Sequence, residues 1–141
     1  MMNPILLSAA TAWCIAQLVK ISFGLMRYGI KDKPRIPWRI IWAGGMPSAH
    51  SALVSSSTLV IYLTSGGQSF LFGLSMIVAC IVIYDRSRMY AIYRRFQERY
   101  PRLKYDIQKD PVLKDLVGHR LSEILVGVLI GLSSGFVIAH L

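Results

Sequence analysis

Two histidines carry the chemistry that this sequence could perform. His119 is followed by Glu123 in Gly118-His119-Arg120-Leu121-Ser122-Glu123. On a helix that spacing puts both on one face. A glutamate that accepts a hydrogen bond from one ring nitrogen fixes the tautomer and leaves the other nitrogen as a base or nucleophile. The second histidine closes Gly44-Gly45-Met46-Pro47-Ser48-Ala49-His50. The glycines free the backbone for close approach, and Pro47 suits the first turn of a helix. Such a helix would aim free N–H groups and its positive dipole end past Ser48 and His50, as an anion site requires. Plainer readings are a glycine turn with a serine cap, and an ion-paired structural glutamate beside an interfacial histidine. If the two stretches meet, two histidines, a carboxylate and several cations suggest phosphoryl chemistry on a lipid. The rival is zinc held by His50, His119 and Glu123 with water in the open position. Lys20, Arg27, Lys114 and Arg120 nearby favour an anion over a cation.

The elements that must position these residues are apolar runs. The 141 residues fit one domain, 1–141. Hydrophobic residues make 54% and charged ones only 16%, with a mean hydropathy of +0.48. A soluble domain carries more charge, so the reading is an all-α, polytopic membrane protein. The first run, Pro4 to about Met26, holds one charge, Lys20, and lacks the basic start and cleavage site of a signal peptide. A polar, basic loop follows, with Pro34, Pro37, Trp38 and Trp42. The second run, Ala49 to Thr64, is serine-rich and short for a span of ~20 residues. Ser65 to Ser69 reads as a turn. The third run, Phe70 to Tyr84, continues into a stretch of alternating arginines and aromatics that suggests a cytoplasmic amphipathic extension ended by Pro101. The last run extends from near Gly118 to Leu141. Its stripe of Glu123, Gly127, Gly131 and Gly135 lets another helix approach closely. Cys14 and Cys80 lack metal-ligand spacing and read as reduced packing residues.

Charge sets the expected topology. All 16 Lys and Arg lie between Lys20 and Arg120, and the turn at 65–69 has none. Four membrane helices then satisfy the positive-inside rule, with both termini outside and the 27–39 and 86–118 segments in the cytoplasm. Both histidine motifs fall on the cytoplasmic face. The net charge of +9 sits in blocks beside apolar runs, which suits anionic lipid headgroups rather than nucleic acid. Arg86 and Arg88 have two readings, reaching such a site or gripping headgroups; the second is favoured, since basic residues beside a span are usually topological anchors.

The motifs extend to a family. Pro47-Ser48-Ala49-His50 matches a Pro-Ser-Gly-His motif with Ala49 for glycine, and His119-x3-Glu123 matches the end of Ser-Arg-x5-His-x3-Asp with Glu for Asp. Lys20 and Arg27 have the spacing of Lys-x6-Arg-Pro, with Tyr28 in place of proline. The Ser-Arg pair falls on Val112 and Leu113, one residue ahead of Lys114. Tyr84-Asp85 matches a further pair after the third span. Over nearly its whole length the chain resembles the divergent bacterial and plastid branch of the type 2 phosphatidic acid phosphatase superfamily, related to vanadium haloperoxidases.

The resemblance implies a multi-pass cell-membrane lipid phosphate phosphatase. His119 would attack phosphorus, Glu123 would orient it, and His50 would protonate the leaving group. Lys20, Arg27, Lys114, Ser48 and backbone N–H groups near Gly45 would hold the phosphoryl oxygens. It implies no metal and no other cofactor. The partners expected are a membrane lipid phosphate and anionic headgroups, with a homo-oligomer left open. A cytoplasmic site favours phosphatidylglycerophosphate, then phosphatidic acid, with a polyprenyl pyrophosphate third. The alternative is a non-catalytic lipid-phosphate binding or transport protein, which needs no His–Glu pair.

Single cysteines, Gln68→Cys and Gln108→Cys, with Cys14 and Cys80 removed, test the orientation. In intact cells an impermeant thiol reagent should label position 68 and spare position 108. The reverse pattern would place both histidines outside.

Overall fold

The computed structural model describes residues 2–28, 45–101 and 118–141. The loop bearing Trp38 and Trp42, the segment bearing Lys114, and the side chain of Arg27 lie outside the described residues. Within them the chain is all helix: α1 (Pro4–Tyr28), α2 (Ala49–Ser65), α3 (Phe70–Arg99) and α4 (Leu121–Ala139). Three of these, α1, α3 and α4, are long and apolar enough to cross a membrane. The 17-residue α2 lies among them.

Local chemistry sets the helix ends. Asn3 Oδ1 accepts the Ile5 N–H at 2.9 Å, ahead of Pro4 at the first helical position. Ser69 Oγ accepts from Phe72 N at 3.1 Å and starts α3 after the turn at Gly66. Pro101 disfavours helical backbone in the residue before it, and α3 stops at Arg99. Two expected starts move. Pro47 lies ahead of the N-cap, after a cis Met46–Pro47 bond, because Ser48 takes the cap position itself. His119 precedes α4 instead of riding on it, because Glu123 turns back to accept the Arg120 N–H at 3.1 Å and begins the helix there.

The bundle is built inside out compared with a soluble protein. Small and polar residues fill it: Ser8, Ala12, Ala16, Ala49, Ala52, Ser56 and Ser134 are buried. Large apolar residues such as Leu6, Leu18, Phe70, Ile77, Leu129 and Phe136 face outward. Lipid tails are as apolar as leucine, so helices in a bilayer gain most from close van der Waals contact between small residues. Cys14 and Cys80 are free thiols on this outer surface, and not the packing residues expected.

Three stripes of four-residue period make the contact. On α1 it runs Ser8, Ala12, Ala16, Lys20, and on α2 Ser48, Ala52, Ser56, Val60, all buried. On α4 it is Glu123, Gly127, Gly131, Gly135, as expected. A Cβ at Gly127 would stand 2.3 Å from the Ser48 carbonyl oxygen, one at Gly131 2.3 Å from that of Ala52, and one at Gly135 2.8 Å from that of Ser56. Helices α2 and α4 therefore run parallel with backbones in contact. On its other side α2 packs antiparallel to α1, where Ser56 Oγ donates to the Ser8 carbonyl at 3.0 Å.

Helix α3 is held more loosely, with Ala79 its buried residue. It meets α2 through Thr58 Oγ1, 3.4 Å from the Ser75 carbonyl, and through the Tyr62 and Phe72 rings at 5.2 Å. Between these contacts lies an apolar cavity of about 420 Å³ lined by Ser55, Tyr62, Met76, Ile83 and Leu132 among others.

Gly131→Ala should lower stability in detergent by roughly 1–3 kcal/mol, since the added carbon meets backbone that can yield only if α2 moves. Gly73→Ala meets nothing within 4 Å and should raise stability by roughly 0.5–1 kcal/mol. Thermal unfolding of the two variants measures the difference; equal effects would contradict the packing described.

Candidate active site

The stripes converge. Lys20, Ser48 and Glu123 are their terminal members at one end of the bundle. The starts of α2 and α4 are tied there, because Ser48 N donates to the Glu123 carbonyl at 3.0 Å. The loop before α4 is pinned to α3 by His119 N donating to the Arg86 carbonyl at 3.2 Å. Gly118 permits this approach: it has φ of 85°, and a Cβ there would come within 2.7 Å of the Arg86 oxygen. Arg120 Nε donates to Tyr90 Oη at 3.1 Å and extends the same seam.

His119 is buried, at 2% exposure, with Nδ1 3.1 Å from Glu123 Oε2. The expected pair thus forms, although the histidine lies ahead of the helix. An Nδ1–H donated to the carboxylate leaves the lone pair on Nε2, and Nε2 has no hydrogen bond among the described residues. The same Oε2 also accepts from the Arg120 backbone, so two hydrogen bonds meet on that one oxygen.

His50 stands in the first turn of α2, half-buried. Its Nε2 lies 3.5 Å from Arg86 Nη2, and its Nδ1 is buried without a partner among the described residues. Arg86, His119 and Lys20 are the basic groups gathered around it. These groups reach it from α3, the loop before α4, and α1. An anion brought among them would be met by the charges of Arg86 and Lys20.

The other expected residues fall unevenly. Lys20 is buried and close enough for its charge to act on His50. Ser48 is fully buried, and its Oγ accepts from Ser51 N at 3.4 Å and shares a 2.9 Å contact with Ser51 Oγ. Its hydroxyl serves the helix start. Gly45 is exposed, with φ of 81°. The Arg27 side chain and Lys114 lie outside the described residues. Among the described residues no three His, Cys, Asp or Glu side chains converge as metal ligands.

Arg86, for which the surface was the favoured of two expected positions, turns inward. The missed signal is phase: Phe72, Met76, Ala79, Ile83 and Arg86 recur at alternating steps of four and three, and the first four line the cavity against α2.

The profile of the Divergent PAP2 family matches residues 1–134, nearly the whole chain. A protein of Bacillus subtilis (strain 168), named there as the uncharacterized membrane protein YuiD, is 28% identical, and the match covers 96% of this chain and 93% of that one. No solved structure matches the chain.

Histidine NMR tests the electrostatics of the site. The His50 signal, assigned by its loss in His50→Ala, should shift when inorganic phosphate is added, because Arg86 and Lys20 draw the anion to it. A signal unmoved by phosphate would contradict the arrangement.

Proposed function

Since the chain belongs to the Divergent PAP2 family, we propose that it is a membrane lipid phosphate phosphatase working through a phosphohistidine. One observation carries the reading above all: His119 holds Glu123 through Nδ1 at 3.1 Å and leaves Nε2 available, in a site surrounded by cations.

The chemistry follows from the atoms. His119 Nε2 attacks phosphorus, the bond to the lipid oxygen breaks, and a phosphoryl-imidazole forms. Glu123 keeps the Nδ1–H and stabilises the positive charge that the ring acquires. His50, charged once the phosphate is bound, gives its proton to the departing alkoxide. It then takes a proton from water as water attacks phosphorus and the N–P bond breaks, which returns His119 and releases phosphate. Lys20, Arg27, Lys114, Ser48 and backbone N–H groups near Gly45 hold the phosphoryl oxygens, where charge must be met. For Ser48, its place as helix cap supports a role through the N–H groups it orients more than through its own hydroxyl.

Positive charge bunched at one end of the bundle supports a cytoplasmic site. Phosphatidylglycerophosphate is then the first substrate, as a phosphomonoester presented on that side, and phosphatidic acid the second. The site acts without a metal, because protein cations already supply the positive charge that a metal would bring.

Purified protein in detergent with chelator should release phosphate from phosphatidylglycerophosphate. Loss of activity with chelator and its return with zinc would overturn the metal-free reading. His119→Ala and His50→Ala should each abolish turnover, and Glu123→Gln should slow it at least about a hundredfold. A histidine variant at near wild-type rate would refute the mechanism. Tight lipid-phosphate binding without turnover in the wild type would point instead to a binding or transport protein.

A further inference from the structure

Arg86 is held at the centre of the site by its backbone, and its side chain has no task in the mechanism above. Its carbonyl takes the His119 N–H, so the residue sits within one peptide of the nucleophile. Its guanidinium is half-buried and turned toward His50 Nε2 at 3.5 Å. Arg88, two residues on, behaves differently. It is exposed and donates to Tyr84 Oη on its own helix at 2.7 Å.

The inward position does not suit a structural cation. A guanidinium carries five N–H donors in a planar fork and stays charged at any physiological pH. A neutral imidazole nitrogen can accept one of them, and 3.5 Å is a long contact even for that. Among the described residues no carboxylate pairs with Arg86; Glu123 is committed to His119 and to the Arg120 backbone. A half-buried cation facing a second basic group is unfavourable until an anion joins them. The oxygens of a phosphate match the fork, two at a time.

We propose that Arg86 is the phosphate-gripping residue of this site, binding two oxygens of the phosphoryl group between His50 and His119. Its grip on the anion follows from the charge of the site alone, and its contribution to turnover rests on the phosphatase reading. As phosphorus moves from the lipid oxygen to His119 Nε2, the fork holds the spectator oxygens in place. The tie between the Arg86 carbonyl and the His119 N–H keeps the nucleophile and the phosphate on one rigid unit.

The test compares wild type, Arg86→Ala, Arg86→Lys and Arg88→Ala in detergent. Binding of inorganic phosphate is measured by calorimetry, and kcat and KM with phosphatidylglycerophosphate. The tie to His119 runs through backbone, so Arg86→Ala should fold, which its melting temperature checks. Arg86→Lys keeps the charge and serves should the alanine variant fail. Arg86→Ala should weaken phosphate binding at least tenfold and lower kcat/KM about a hundredfold, the scale of a lost oxyanion donor. Arg86→Lys should recover part of the binding, because it restores charge without the fork. Arg88→Ala should match wild type. Phosphate affinity and KM within twofold of wild type in either Arg86 variant would overturn the assignment. A wild type that binds phosphate through Arg86 yet releases none would refute the phosphatase reading and leave the anion grip standing.

Discussion

Everything at the polar end depends on how closely α2 and α4 approach. Their backbones touch where Gly127, Gly131 and Gly135 lie against the carbonyls of Ser48, Ala52 and Ser56. That contact sets the register of the two helices, and the register sets the chemistry. The Ser48 N–H reaches the Glu123 carbonyl only because the stripes are level. In a bilayer such a contact draws on dispersion and not on expulsion of water, so fit matters more than hydrophobicity. Small side chains also lose little rotamer freedom on packing. A rigid seam of this kind is a suitable mount for groups that must be held to fractions of an ångström.

The charges follow a complementary logic. The site gathers basic groups from all sides: Lys20 from α1, His50 from α2, Arg86 from α3 and His119 from the loop before α4. Repulsion between Lys20 and Arg86, and of any proton on the imidazoles, would spread them if their backbones were free. They are not free, since the loop bearing His119 is fastened to α3 at Arg86 and at Tyr90. Packing thus holds in place a cluster that electrostatics alone would disperse. The resulting field is preorganised for an anion, and it costs little further reorganisation when one arrives.

Much of this could be read in the sequence, for identifiable reasons. Long apolar runs and bunched basic residues show the helices and the turn at Ser65 to Ser69 directly. The His119–Glu123 pair and the α4 glycine stripe are visible because glycine at a four-residue period is rare by chance in an apolar helix. The α1 stripe of Ser8, Ala12, Ala16 and Lys20 is harder to see, because alanine and serine are common in such runs and a lone lysine does not announce which way it faces. For Arg86 the surface reading was favoured because a basic residue just beyond an apolar run usually anchors the helix there; only the helical phase continued past Tyr84 shows it inside. Pro47 is compatible both with the first turn and with the residue before the cap, and Ser48 decided between them by claiming the cap.

The shortness of α2 has a consequence for the surrounding lipid. Seventeen residues rise only about 26 Å, while the hydrocarbon layer is ~30 Å thick. One end of α2 must therefore stop short of the headgroup plane, or the bilayer must thin to meet it. The far end is tied to the first turn of α3 through Gly66 and Ser69, so the shortfall accumulates where Ser48 and His50 stand. For the lipid phosphate proposed as substrate, the headgroup has then to sink below its neighbours to reach them, and membrane thickness becomes a determinant of turnover.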